Sequence, residues 1–234
     1  MSTETILVLC GGLGTRLKSI TADLPKSMVD VNGEPFINLL ITKWVNSGFK
    51  NIIFLLGYRS EFMKDELSKI EKNYSVQFNY SIENEQLGTG GAVLNAVNNF
   101  GLNMPFCVAN GDTWMDADIN EVRKSVSPSI ATIEIDENTR YGEIEVKNNR
   151  VIGFKEKLLS QKKSTINAGI YKLDLSCFDE IKKKVFSLEQ DLFPSLIKHK
   201  YVNSVKITGN FIDIGVPSDY RKFCQSLSDT KYEY

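Results

Sequence analysis

No Cys-x-x-Cys pair occurs anywhere in the 234 residues; the four cysteines, Cys10, Cys107, Cys177 and Cys224, are scattered singly. That spacing gives neither a cysteine-based zinc site nor a disulfide framework, so reduced thiols are expected. Histidine is scarcer still. His199 is the only one, in a KHKY run at the end of an expected helix, where it reads as a solvated charge near the helix C-terminus rather than as an acid or base. Charge of neither sign dominates: 28 Lys and Arg against 29 Asp and Glu leave a net charge of −1, with no basic field for a nucleic-acid backbone. No apolar run is long enough to span a bilayer, and MSTETILVLCGG carries acidic Glu4 where a secretory signal would be basic. A cytoplasmic protein without membrane contact is expected. Internal repeats, low-complexity tracts and linkers are also missing. What remains is 42% hydrophobic and 24% charged, an ordinary globular balance that suffices for one sizeable core.

Short apolar runs alternate with longer helical patterns: TILVL, PFINLLITKWVNSG, NIIFLL, a charged helix from about Glu61 to Lys72, VQFNYSI, a helix opening at Gly90, and PFCVAN. Strands separated by helices of this length imply right-handed crossovers and a mostly parallel sheet with helices on both faces. After Ser127 the rhythm changes. SIATIEI, YGEIEV, RVIGFKE and INAGIYKL follow one another without a long helix, predicting a more antiparallel extension. Helices are expected again at Asp179 to Lys184 and Leu192 to Lys198, then a last strand pair, SVKIT and FIDIG, before a C-terminal helix. The expected fold is α/β, Rossmann-like and mixed, as one domain over 1–234 with a first half to about 127 and a second from about 128.

Ligands of open α/β sheets sit outside the carboxyl ends of the strands. The residues there are CGGLGTR after the first strand, GYR after the second, ENEQLGTGGA after the third and NGD after the fourth. CGGLGTRL is not GxGxxG, because Leu17 stands at the third glycine, and it has no GK[ST] of a P-loop. Eight residues beyond Leu17 come Pro25 and Lys26. The whole pattern GGLGTRL followed by LPKSMVDVNGEPFI resembles the signature of sugar-1-phosphate nucleotidyltransferases.

Further matches follow in order to about residue 220. LGTGGA at Leu87 to Ala92 resembles the family's second glycine loop, Asn110-Gly111-Asp112 its metal-bearing strand end, and Asp213 in FIDIGVPSDY its second metal ligand. Tyr141-Gly142, Glu156-Lys157 and Asn167-Ala168-Gly169 resemble its sugar-side elements, and Glu189 and Asp191 in SLEQDLFP an acidic stretch that reaches sugar hydroxyls. Two departures stand out: Ser27 where many relatives have Pro or Ala, and no proline after Glu156-Lys157. The short length, NEQLGTGGA and SLEQDLFP are most similar to guanylyltransferases that make GDP-D-glycero-α-D-manno-heptose. Mannose-1-phosphate guanylyltransferases and N-acetylmuramate-1-phosphate uridylyltransferases are alternatives, as is a non-catalytic module that binds nucleotide sugars. The resemblance implies GTP and a sugar 1-phosphate as partners and Mg²⁺ as cofactor, and leaves a homodimer open.

Joining a nucleoside triphosphate to a sugar phosphate brings two anions together, so positioning and preorganised charge do most of the work. Arg16 offers a fork of donors, the loop from Gly12 through Gly14 to Thr15 its backbone N–H groups, and Lys26 a mobile point charge near the α-phosphate. Arg16, Lys26 and Asp112 are the expected catalytic set, and Asp112 with Asp213 the Mg²⁺ ligands. Gln86 is expected to read a base edge, with backbone groups around Leu9, Gly11 and Gly88 beside it, and Thr89 to bind the nucleotide. Each has a plain structural reading. Asp112 after Asn-Gly can make an Asx turn, Asp213 can satisfy a backbone N–H, Glu156 and Lys157 can form an exposed ion pair, and SLEQDLFP can be a helix start.

Overall fold

The computed structural model describes residues 4–230 except 13, 22, 137, 139, 156–162 and 200. The first half alternates strands with helices: β1 (Thr5–Leu9), α1 (Lys18–Thr21), β2 (Asp30–Val31), β3 (Glu34–Pro35), α2 (Phe36–Asn46), β4 (Asn51–Leu56), α3 (Ser60–Glu71), β5 (Gln77–Ile82), α4 (Gly88–Phe100) and β6 (Phe106–Asn110). β7 (Thr113–Met115), α5 (Asn120–Lys124), β8 (Ser129–Ile135), β9 (Glu143–Lys147), β10 (Arg150–Lys155) and β11 (Ser164–Leu173) come next. α6 (Phe193–His199), β12 (Val202–Lys206), β13 (Phe211–Asp213) and α7 (Pro217–Thr230) follow.

Nine strands form one sheet in the order β5-β4-β1-β6-β11-β8-β12-β10-β9. β5, β4, β1 and β6 are parallel neighbours, β11 joins β6 antiparallel, and β12 returns parallel to β8. The sheet is therefore mixed, with its longest parallel block confined to the first half. Apolar runs with no polar alternation are explained by cover on both faces. Ile6 and Val8 of β1 pack with α2, α3 and α7 residues such as Phe36, Met63 and Phe223, while Leu7 faces Val93 of α4 and Leu196 of α6. β4 divides likewise, Ile52 and Phe54 to one side and Ile53 and Leu55 to the other. No helix among the described residues is long and apolar enough to cross a membrane.

Two local expectations are corrected. SVKIT and FIDIG do not pair: β12 lies in the large sheet between β8 and β10, whereas β13 pairs with β7 in a separate two-stranded ribbon. That ribbon aligns Asp213 with Thr113, next to Asp112. No helix spans Asp179 to Lys184 either. The turn lies earlier, at Leu175–Phe178, where the Asp174 carboxylate accepts from the Ser176 N–H at 2.9 Å and caps it.

Candidate active site

The carboxyl ends of β1, β4, β5 and β6 open onto a cleft of about 670 Å³. Its lining includes Leu9, Gly11, Gly12, Gly14, Arg16, Lys26, Gln86, Gly88, Thr89, Asp112 and Glu189, so eleven sequence-selected residues share one cavity. The glycines of the first loop serve different ends. Gly14 adopts φ +61°, and a Cβ there would stand 3.3 Å from the Lys26 Cβ. At Gly12 a Cβ would meet nothing within 4 Å. Among the described residues the N–H groups of Gly11, Gly12 and Gly14 have no backbone acceptor, which leaves them for an anion. Thr15 opens the single 3₁₀ turn Thr15–Leu17, and Arg16 projects exposed at the rim, paired with no carboxylate among the described residues.

Lys26 follows Pro25, and the turn it begins is closed by the Met28 N–H donating to the Pro25 carbonyl at 2.8 Å. Ser27 and Met28 are buried, so the backbone is anchored and the lysine side chain extends from a fixed root. Its Nζ donates to Asp112 Oδ2 at 2.6 Å and Asp213 Oδ1 at 3.2 Å. Asp112 Oδ1 accepts from the Thr113 hydroxyl at 3.2 Å, and Asp213 Oδ1 from the Gly215 N–H at 2.7 Å. Arg140 binds Asp213 Oδ2 at 3.2 Å and also pairs with Asp219 of α7. Two carboxylates 101 positions apart thus converge on one ammonium, which acts as a stand-in for a metal cation. Two carboxylates are the hard oxygen donors that Mg²⁺ takes when phosphate oxygens and water complete its shell, and no group of three or more His, Cys, Asp or Glu residues that could hold a metal by protein side chains alone occurs among the described residues.

The second glycine loop has a structural duty that sequence reasoning missed. The N–H groups of Gly90 and Gly91, at the N-terminus of α4, donate to the Phe186 carbonyl at 3.0 and 3.2 Å. A Cβ on Gly90 would lie 2.2 Å from the Phe186 ring, and one on Gly91 2.6 Å from the Lys184 carbonyl. These glycines seat the 184–188 segment against the helix, and Leu188 N–H donates to the Thr89 hydroxyl at 2.9 Å. Gly90→Ala should therefore cost about 1–3 kcal/mol of stability in urea unfolding, through overpacking against Phe186. An unchanged midpoint would show that the segment yields freely.

Seating that segment brings Glu189 to the cleft. Its Oε1 accepts from Asn167 Nδ2 at 2.9 Å and from the Tyr171 hydroxyl at 3.2 Å, joining β11 to the SLEQDLFP stretch. Asp191 turns elsewhere: it accepts from the Ser187 N–H at 2.8 Å and pairs with Lys183, outside the cleft lining. Both contacts hold its carboxyl below the usual carboxylate range. Tyr141 and Gly142 also lie off the lining, Tyr141 packing edge-on to Phe211 with the Arg140 guanidinium over its ring. Burial pushes the Tyr141 phenol up to about 12. Glu156 and Lys157 lie outside the described residues.

Three polar groups at the site escaped the sequence reading. Glu83 lines the cleft at the end of β5; burial raises its carboxyl, and the Leu87 N–H, donating at 3.3 Å, opposes that shift. A Cβ on Gly57 would stand 2.8 Å from Glu83 Oε1, and one on Gly11 3.0 Å, so two glycines make room for this carboxylate. Its place directly after QFNYSI was a usable signal. Arg140 and Asp219 carried none, because only the tertiary fold brings them to Asp213.

A family model described as nucleotidyl transferase matches residues 5–230. The chain is 36% identical over 220 residues to D-glycero-alpha-D-manno-heptose 1-phosphate guanylyltransferase of Campylobacter jejuni, covering 93% of this chain and 97% of that one. It is 33% identical to mannose-1-phosphate guanyltransferase of Schizosaccharomyces pombe over 92% of this chain, and spans 61% of that protein's length. The crystal structure of HddC from Yersinia pseudotuberculosis complexed with GMP-PN superposes with a TM-score of 0.84 at 34% identity, over 96% of this chain and 100% of that one. With its glycine loop, Lys26 and Asp112 lining one cleft, Asp213 joined to them through Lys26, and the family match running through nearly its whole length, the chain belongs to the nucleotidyl transferase family.

Proposed function

We propose that the protein transfers a guanylyl group from GTP to a sugar 1-phosphate of the manno-heptose type, releasing pyrophosphate. The observation that carries this reading is the convergence of Lys26, Asp112 and Asp213 beside the open N–H groups of the first glycine loop. An oxygen of the sugar 1-phosphate attacks the α-phosphorus, and the bond from that phosphorus to the oxygen bridging to the β-phosphate breaks. The electron pair leaves with pyrophosphate. Arg16 and the loop hold the β- and γ-phosphates, and Lys26 faces charge developing at the α-phosphate. Mg²⁺ held by Asp112 and Asp213 would neutralise the phosphate oxygens.

Base choice is assigned to Glu83, with Gln86, Gly88 and Thr89 beside it. A carboxylate accepts from both N1–H and the 2-amino group of guanine, whereas adenine turns an acceptor, N1, toward it and uracil offers a single N–H. Two charge-assisted hydrogen bonds would offset the cost of keeping a half-buried carboxylate ionised. Glu189, held by Asn167 and Tyr171, keeps its second oxygen for sugar hydroxyls, the contact expected of the sugar-side elements. The fungal mannose-1-phosphate relatives favour a hexose 1-phosphate as the second acceptor.

Calorimetric titration of wild-type protein with each Mg·NTP tests the base assignment. GTP should bind best, and Glu83→Gln should weaken GTP by about 10–100-fold while sparing ATP. Equal loss for every nucleotide would remove Glu83 from base selection.

A further inference from the structure

Every carboxylate oxygen of the Asp112 and Asp213 pair already has a donor within the protein. Lys26 serves one oxygen of each residue, Thr113 serves Asp112 Oδ1, the Gly215 N–H shares Asp213 Oδ1, and Arg140 serves Asp213 Oδ2. Without a metal the cluster already holds most of its counter-charge: Lys26 and Arg140 face the three carboxylates of Asp112, Asp213 and Asp219, and Lys26 is the one cation shared by the Asp112 and Asp213 pair among the described residues. The Lys26 side chain is only 12% exposed in this position.

We infer that Lys26 is a resident counter-ion of the carboxylate pair, and that its transfer from these carboxylates to the incoming triphosphate makes divalent metal and nucleotide bind together rather than separately. This rests on the proposed site for Mg²⁺ and GTP. The lysine has a built berth. A Cβ on Gly215 would lie 2.7 Å from its Nζ, and one on Gly14 3.3 Å from its Cβ, so glycines clear space near both ends of the side chain. The buried Ser27 and Met28 fix its root, which leaves movement to the side chain.

A divalent cation entering the pair meets an ammonium 2.6 Å from Asp112 and 3.2 Å from Asp213. Like charges in a partly dehydrated site repel strongly. Lys26 has little reason to leave, because no other described carboxylate lies within ion-pair distance of it. A triphosphate supplies that alternative partner. Once Lys26 swings to phosphate oxygens, the carboxylates become free for metal. Such coupling is reciprocal, so each ligand tightens the other by the same factor.

The test is Mn²⁺ titration without nucleotide, followed by the electron paramagnetic resonance signal of free Mn²⁺. Wild-type protein should bind Mn²⁺ weakly. Lys26→Met and Lys26→Gln, which remove the competing charge, should bind it at least about 10-fold more tightly, whereas Lys26→Arg should stay as weak as wild type. A neutral variant that folds only with added divalent metal supports the same inference, since the pair then draws its counter-charge from outside. Tight Mn²⁺ binding by nucleotide-free wild type overturns it, as does unchanged or weaker affinity in folded Lys26→Met or Lys26→Gln. Calorimetry of wild type with Mn·GTP separates the two levels: binding there with unaltered Mn²⁺ affinity in the neutral variants refutes the counter-ion alone, and no binding refutes the proposed site together with it.

Discussion

Asp112→Asn is expected to lower turnover by about 10²–10³-fold, the scale on which removal of one preorganised electrostatic group slows a reaction. An amide has nearly the same shape as the carboxylate but is a poorer metal ligand and carries no charge. Asp112 is the more exposed of the pair, its side chain 37% accessible against 16% for Asp213. Its side chain meets the adjacent Thr113 hydroxyl and the Lys26 ammonium, which keeps Asp213 as a partner, so the variant should melt like wild type. Asp213→Asn should lose comparable activity but also about 1–3 kcal/mol of stability. Its carboxylate ties the Gly215 backbone, Lys26 and Arg140 together, and the amide leaves donors facing donors. Steady-state rates with urea unfolding separate the two effects. Near-normal turnover in either folded variant would take that aspartate out of the reaction.

The second large effect is at Gly12. Gly12→Val should fold as wild type, because a Cβ at this position meets nothing within 4 Å, yet it should weaken GTP binding by about 10²-fold by crowding the phosphate approach. Gly14→Val should fail differently. With φ +61° and Lys26 Cβ 3.3 Å away, a β-branched residue there distorts the loop itself and lowers stability. Circular dichroism melts and nucleotide titration of the two variants give opposite patterns if the loop cradles phosphate. Unimpaired GTP binding by Gly12→Val would reduce CGGLGTRL to a structural turn.

The parallel half of the fold was legible because its strands are buried on both faces and read as unbroken apolar runs: TILVL and NIIFLL each feed two cores. Strand ends then led to the first glycine loop, Lys26 and Asp112 by the rule for open sheets. The second half was less legible. β13 is three residues long and joins β7 through a register that no local pattern encodes, so the sequence points to Asp213 but not to the strand that FIDIG pairs with. LGTGGA showed the opposite difficulty. Its composition suggests a ligand loop throughout, but Gly90 and Gly91 are required by Phe186 and Lys184, whose approach from nearly 100 residues away leaves no trace in the motif. Asp191 and Glu189 look equivalent in SLEQDLFP. Only the turn beginning at Ser187 decides that one ties down the backbone while the other reaches the cleft.

Product analysis by mass spectrometry addresses guanylyl transfer in this cleft most directly. Wild-type protein incubated with Mg²⁺, GTP and D-glycero-α-D-manno-heptose 1-phosphate, with mannose 1-phosphate in parallel, should yield the GDP-sugar and pyrophosphate in equal amounts, and UTP, CTP and ATP should react more slowly. Asp112→Asn protein should form almost none. A folded wild-type protein that binds GTP but forms no nucleotide sugar with any sugar 1-phosphate would instead be a binding module, and faster reaction with UTP than with GTP would contradict the assignment of Glu83 and of the guanylyl donor.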